Sequence, residues 1–127
     1  MAKIQDLYYC KICRNLVELI HLGGPTPICC GVPMSLLEAN TVDAANEKHI
    51  PLVEDMGDYV KICVGNIEHP MTNEHYIAFV EVITVNGVCR KELTPGSKPV
   101  VEFCVKKADI IEVREFCNLH LLWSIKF

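Results

Sequence analysis

Four cysteines near the amino terminus constrain this chain more than any other feature. Cys10-Lys-Ile-Cys13 is followed, after fifteen intervening residues, by the adjacent pair Cys29-Cys30. A Cys-x-x-Cys turn aims two sulfurs at one point, and a second pair carried back by the glycine- and proline-rich "LGGPTPICCG" completes a tetrahedral thiolate shell. Reduced structural cysteines, or a redox disulfide between Cys10 and Cys13, would leave the adjacent pair without a purpose. A segment of about forty residues can hardly bury enough surface to fold unaided, so a metal staple is the expected remedy. Zinc and iron both accept four sulfurs, and spacing does not choose between them. With nothing between Cys29 and Cys30, a second relaxed knuckle is excluded and a distorted tetrahedron is expected. Arg14 stands where a glycine would more comfortably take a left-handed turn.

Half of the 127 residues are apolar and 22% are charged, enough for a real core, yet no run approaches the ~20 apolar residues of a membrane span. "MAKIQDLYYCKIC" lacks the basic start, apolar core and cleavage site of an export signal, so a cytoplasmic location is expected. In that compartment eight cysteines read as metal ligands or reduced thiols rather than a disulfide framework. Twelve basic against sixteen acidic residues, net charge −4 and no basic stripe, argue against nucleic acid as a partner.

From "NTVDAANEKH" onward the character of the chain changes, which puts a boundary near residues 36 to 42 and divides it into 1–38 and 39–127. "YVKICVG", "YIAFVEVITV", "VVEFCVKK" and "IIEVREFC" alternate β-branched and aromatic residues with polar ones, the period of strands. "DMGD" and "VNGV" separate such runs, and Asn86-Gly87 is expected to form the central pair of a type I′ hairpin turn. "LTPGSKP" reads as a longer loop, and there is no sustained helical period. The fold is therefore expected to be mainly β, with an antiparallel sandwich or barrel as the larger part.

That larger part holds His49, His69, His75 and His120, each expected at a strand end or in a turn, where loops from distant parts of a sandwich converge. Singly, each reads as an ordinary surface or core histidine. Jointly, with Pro51 and Pro70 stiffening the backbone after two of them and Cys117 adding a thiolate, they point to a mixed His/Cys metal site. Structural zinc is normally satisfied by four ligands; five donors suit iron with redox work to do. His21 reads as a surface histidine.

"YYCKIC" and "ICCG", then "NTVDAANEKHIP", "EHPM", "EHYI" and "CNLH", together resemble the desulfoferrodoxins, the two-iron form of superoxide reductase, over nearly the whole chain. The resemblance implies a small desulforedoxin- or rubredoxin-like metal knuckle domain followed by an immunoglobulin-like sandwich. It implies one iron at Cys10, Cys13, Cys29 and Cys30, and a second with His49, His69, His75 and His120 around its equator, Cys117 on its axis and one position open when reduced. The activity implied is one-electron reduction of superoxide to hydrogen peroxide without release of oxygen. A small electron donor such as rubredoxin and a homodimer follow from the same resemblance. Glu47 and Lys48 match the family's Glu-Lys pair, the lysine drawing superoxide in and assisting protonation, the glutamate ligating the resting ferric iron.

Two residues depart from the family pattern. Leu121 follows His120, and Arg14 follows Cys13, where glycine is usual; neither removes a ligand. Cys63, Cys89 and Cys104 match no ligand motif and read as small semi-buried thiols, or as residues facing a subunit interface. The competing functional class is a non-enzymatic electron-transfer or metal-binding protein working through the four-cysteine centre, for which an open coordination position would have no use.

Overall fold

A computed structural model describes residues 5–41, 49–65 and 69–127, and the chain divides into two units, Met1–Glu38 and Ala39–Phe127. In the first, β1 (Leu7–Tyr9), β2 (Leu16–Glu18), β3 (Ile28–Cys29), β4 (Val32–Pro33) and β5 (Ser35–Leu36) are only two or three residues long. Strand β1 lies between β2 and β5, antiparallel to both, while β3 and β4 form a separate hairpin. Its core cluster is Tyr8, Cys10 and Met34, with Leu19 and Cys29 packed against it. Ile12, Ile20 and Ile28 remain exposed. So little buried apolar surface is a weak reason to fold, and two of those five core residues are cysteines.

The second unit contains β6 (Pro51–Asp55), β7 (Val60–Val64), β8 (Ile77–Thr84), β9 (Gly87–Glu92), β10 (Val100–Phe103), a 3-10 turn at Lys107–Asp109, β11 (Ile110–Cys117) and β12 (Leu121–Lys126). They form a three-stranded sheet in the order β10-β7-β6 and a four-stranded sheet in the order β12-β11-β8-β9, with every pair antiparallel. Three strands and four is the division of an immunoglobulin-like sandwich. Val60, Ile62 and Val64 of β7 share one buried cluster with Val80 and Val82 of β8 and Val113 and Cys117 of β11, as their period-two spacing predicts. Among the described residues no helix is long and apolar enough to cross a membrane.

Two expectations are corrected. In the β8–β9 hairpin Thr84 pairs with Gly87, so the loop is Val85-Asn86, one residue earlier than expected. Gly87 alone there has a positive φ, +138°, and Thr84 Oγ1 accepts from the Asn86 N–H while donating to the Gly87 carbonyl. A primed turn occurs instead between β3 and β4, where the two-residue loop Cys30-Gly31 has φ of +52° and +77°, the pattern of type I′. Finally, Cys63 is half-buried as expected, but Cys89 and Cys104 are exposed rather than semi-buried.

Candidate metal centres

The first centre is built by two tight turns. The primed loop lets adjacent cysteines converge: with Cys30 left-handed, its sulfur returns to within 4.0 Å of the Cys29 sulfur. On the other side the Arg14 N–H donates to the Cys10 carbonyl at 2.8 Å and the Cys13 N–H approaches the Cys10 sulfur at 3.4 Å. Arg14 makes this turn at φ +69° without being glycine, a conformation that costs about 1–2 kcal/mol for an L-residue.

All four sulfurs lie within 4.8 Å of one another, with Cys13 and Cys29 at 3.5 Å. Sulfurs about 2.3 Å from one metal stand roughly 3.8 Å apart in a regular tetrahedron, so the observed separations fit a somewhat distorted one. Hydrogen bonding among the sulfurs splits their proton affinities. The Cys13 backbone N–H draws the Cys10 thiol down to about 6, against the effect of burial and with help from the Ile12 N–H. Hydrogen bonds with Cys13 and then Cys10 push Cys29 up, and push Cys30 up to about 12. Four thiolates cannot coexist at this spacing without a cation among them.

The second centre gathers side chains from both ends of the sequence of the sandwich. His49 lies two residues before the start of β6, His69 and His75 flank the loop before β8, and His120 sits in the turn between β11 and β12. Ring centroids are separated by 4.6 Å (His49–His69), 4.7 Å (His69–His75), 5.1 Å (His75–His120) and 4.9 Å (His120–His49), and by 6.5 Å across the diagonal His49–His75. Four imidazoles radiating in a square from one ion at about 2.1 Å would put neighbouring centroids roughly 4.6 Å apart and opposite ones roughly 6.5 Å apart. The observed quadrilateral has these dimensions. Cys117 is common to both groups of converging ligand atoms, His49–Cys117–His120 and His69–His75–Cys117, each within 4.8 Å.

Hydrogen bonding sets which ring nitrogens face inward. His69 Nδ1 lies 2.7 Å from the Pro70 carbonyl oxygen; a carbonyl only accepts, so Nδ1 carries the proton and Nε2 the lone pair. His49 Nδ1 lies 3.7 Å from a Glu115 carboxylate oxygen, which favours the proton on the same nitrogen. His120 turns its Nδ1 toward Cys117, 3.8 Å from the sulfur. His49, His69 and Cys117 are buried while His120 is exposed.

Sequence reasoning missed the residues that hold this group. The β8–β11 register slips between Phe116 and Cys117, from Phe79 to Ile77, a bulge of the kind that re-aims a side chain. Asn118 ties the result together: its Oδ1 accepts from the Tyr76 N–H and its Nδ2 donates to the Glu74 carbonyl, both at 2.9 Å. Trp123 stacks on His49 at 4.6 Å and 18° while its indole N–H donates to the His120 carbonyl at 2.9 Å. Glu115, fully buried, pairs across the ladder with Trp123. Only the position of Glu115 two residues before Cys117 on an alternating strand signals that it shares an inward face. Leu121 closes the turn at φ +65°, so the left-handed conformation persists here without glycine. Glu47 and Lys48 lie outside the described residues, and His21 is exposed in the first unit.

Comparison with known proteins agrees with this geometry. A family model described as desulfoferrodoxin matches residues 41–126, and one described as desulfoferrodoxin, N-terminal domain, matches residues 2–37. A desulfoferrodoxin from Syntrophotalea carbinolica is 44% identical over 124 residues, 98% of either chain. The crystal structure of the superoxide reductase from Treponema pallidum superposes with a TM-score of 0.78 at 37% identity, over 95% of this chain and 97% of that one. A superoxide reductase (1Fe-SOR) from Giardia intestinalis gives a TM-score of 0.55 at 30% identity and covers 65% of this chain and 98% of its own.

Proposed function

The chain belongs to the desulfoferrodoxin family, and from that premise we propose that it is a superoxide reductase, converting superoxide, one electron and two protons into hydrogen peroxide without forming oxygen. The observation that carries this reading is the square of four imidazoles around a shared Cys117. The donor set indicates iron. His49, His69, His75, His120 and Cys117 would hold one ion, and Cys10, Cys13, Cys29 and Cys30 a second. Bound in the sandwich, iron supplies the transferred electron and a position for the anion, with the Cys117 thiolate enriching its electron density.

The chain's own residues do the rest. Trp123 and Glu115 fix the His49 ring, and Asn118 fixes the turn that carries Cys117 and His120. In a chain of net charge −4, Lys48 is the cation that draws the anion toward the group, and it supplies a proton from Nζ. By its match to the family's Glu-Lys pair, Glu47 would serve as a carboxylate ligand of the oxidised iron. The electron comes from a small carrier such as rubredoxin, and the protein works as a cytoplasmic homodimer.

Mixing the reduced protein with superoxide tests the reading. One peroxide should form per superoxide consumed, with no oxygen, and Lys48→Ala should slow the encounter by about 10-fold or more and weaken its salt dependence. Oxygen evolution, or oxidation of the protein with no peroxide formed, would overturn it.

A further inference from the structure

The two sheets of the sandwich end in the edge strands β9 and β10, and two contacts join the segments around them. Lys91 of β9 donates from Nζ to the Glu102 carbonyl and lies 5.3 Å over the Phe103 ring. Further back, the Val85 N–H donates to the Asp109 carbonyl at 3.0 Å. Partners fall from 109 to 102 as positions rise from 85 to 91, so the segments run in opposite directions. Cys89, two residues before Lys91, and Cys104, two residues after Glu102, therefore lie on opposite walls of the space between these segments.

Both thiols line one cavity of about 430 Å³, together with Thr84, Asn86, Lys106 and Asp109. Both are exposed and neither is in a disulfide. Among the described residues, three or more metal-ligating atoms converge at the two centres above and not here. Both thiols thus open onto one cavity with no third donor atom converging on them as a metal site needs.

We propose that Cys89 and Cys104 form a peroxide-reactive dithiol that closes to a disulfide across this seam. The thiolate of one cysteine attacks a peroxide oxygen, breaking the O–O bond, releasing hydroxide and leaving a sulfenic acid. The second thiol then displaces water from that sulfur. Two thiols and one hydrogen peroxide become one disulfide and two waters, with two electrons passing from sulfur to peroxide oxygen. The inference rests on the proposed function only for the source of the oxidant, since hydrogen peroxide would be the product made in the same unit. The closed bridge would join the two sheets at edges otherwise held by a few contacts.

The test treats the metal-loaded, reduced protein with an equimolar amount of hydrogen peroxide, followed by alkylation and peptide mass mapping. The expected result is a linked Cys89–Cys104 peptide lighter by two hydrogens, with Cys63 still alkylated, and a sandwich that melts several degrees higher in the oxidised form. Cys89→Ser and Cys104→Ser should each abolish the link, leave the remaining thiol open to a sulfenic-acid trap, and not alter superoxide turnover. Both thiols still alkylated after peroxide, links between separate chains, or a preferred reaction at Cys63 would overturn the proposal. A second arm supplies superoxide instead of peroxide. A link formed with added peroxide but not during turnover would overturn the peroxide-forming reading and leave the dithiol standing, whereas a link formed in turnover and suppressed by catalase supports both.

Discussion

The two units solve the same problem, gathering soft donors around one point, from opposite starting positions. In the first, the sulfurs are part of the core: Cys10 and Cys29 belong to a cluster otherwise made of Tyr8, Met34 and Leu19, and the strands are too short to define a sheet without the turns that carry the cysteines. In the second, the core precedes the site. Eleven buried residues, from Val60 to Cys117, form one cluster across both sheets, and only Cys117 among the metal-binding candidates belongs to it. The histidines are appended at strand ends. An ion can hold a small knuckle together, whereas in the sandwich the fold holds the ion.

The largest expected effect breaks this contrast on one side. Cys13→Ser should empty the four-sulfur centre, and because metal binding carries about 10–16 kcal/mol of folding free energy in comparable small domains, the first unit should lose its protected amides. Hydrogen exchange should find β7, β8 and β11 still protected; simultaneous loss there would show that the units are not independent. The converse change is Ile62→Ala, at a fully buried position. It should lower the stability of the sandwich by about 2–5 kcal/mol in denaturant titration while leaving the four-sulfur centre's absorption intact.

Smaller effects sharpen the comparison. Trp123→Phe keeps a ring against His49 but removes the N–H that holds the His120 carbonyl, and should weaken iron retention in a competition with chelator by about 10-fold with little change in melting. Leu121→Gly should relieve a left-handed φ and stabilise the sandwich by about 1 kcal/mol, seen as a raised unfolding midpoint. No change, or a loss, would mean that Leu121 packing outweighs the strain.

Much of this was legible in the residues because each signal was local. Cys-x-x-Cys, the strand alternation and the placing of histidines beside prolines each depend on a few neighbours. What escaped depends on tertiary packing. Glu81 and Arg114 look like solvent-facing positions of alternating strands, yet both are buried and joined at 2.7 Å, on β8 and β11, the two inner strands of the four-stranded sheet. They are directly opposed in the ladder, with Arg90 at 3.6 Å from the other oxygen of Glu81; that cross-strand register fixes the pairing, and no single-strand pattern contains it. The hairpin at Val85-Asn86 was displaced from Asn86-Gly87 by the same kind of cause, since the Thr84 hydroxyl satisfies the turn one residue earlier. Glu115 and Trp123 reach His49 only once β11 and β12 are paired, and Cys89 and Cys104 come to line one cavity only once both sheets are stacked.

X-ray absorption at the iron edge, measured on the Cys13→Ser protein so that the sandwich centre is observed alone, tests the central claim most directly. One sulfur and four imidazole nitrogens around each iron is the predicted shell. A shell of sulfurs only, or an intact sandwich that takes up no iron, would contradict it.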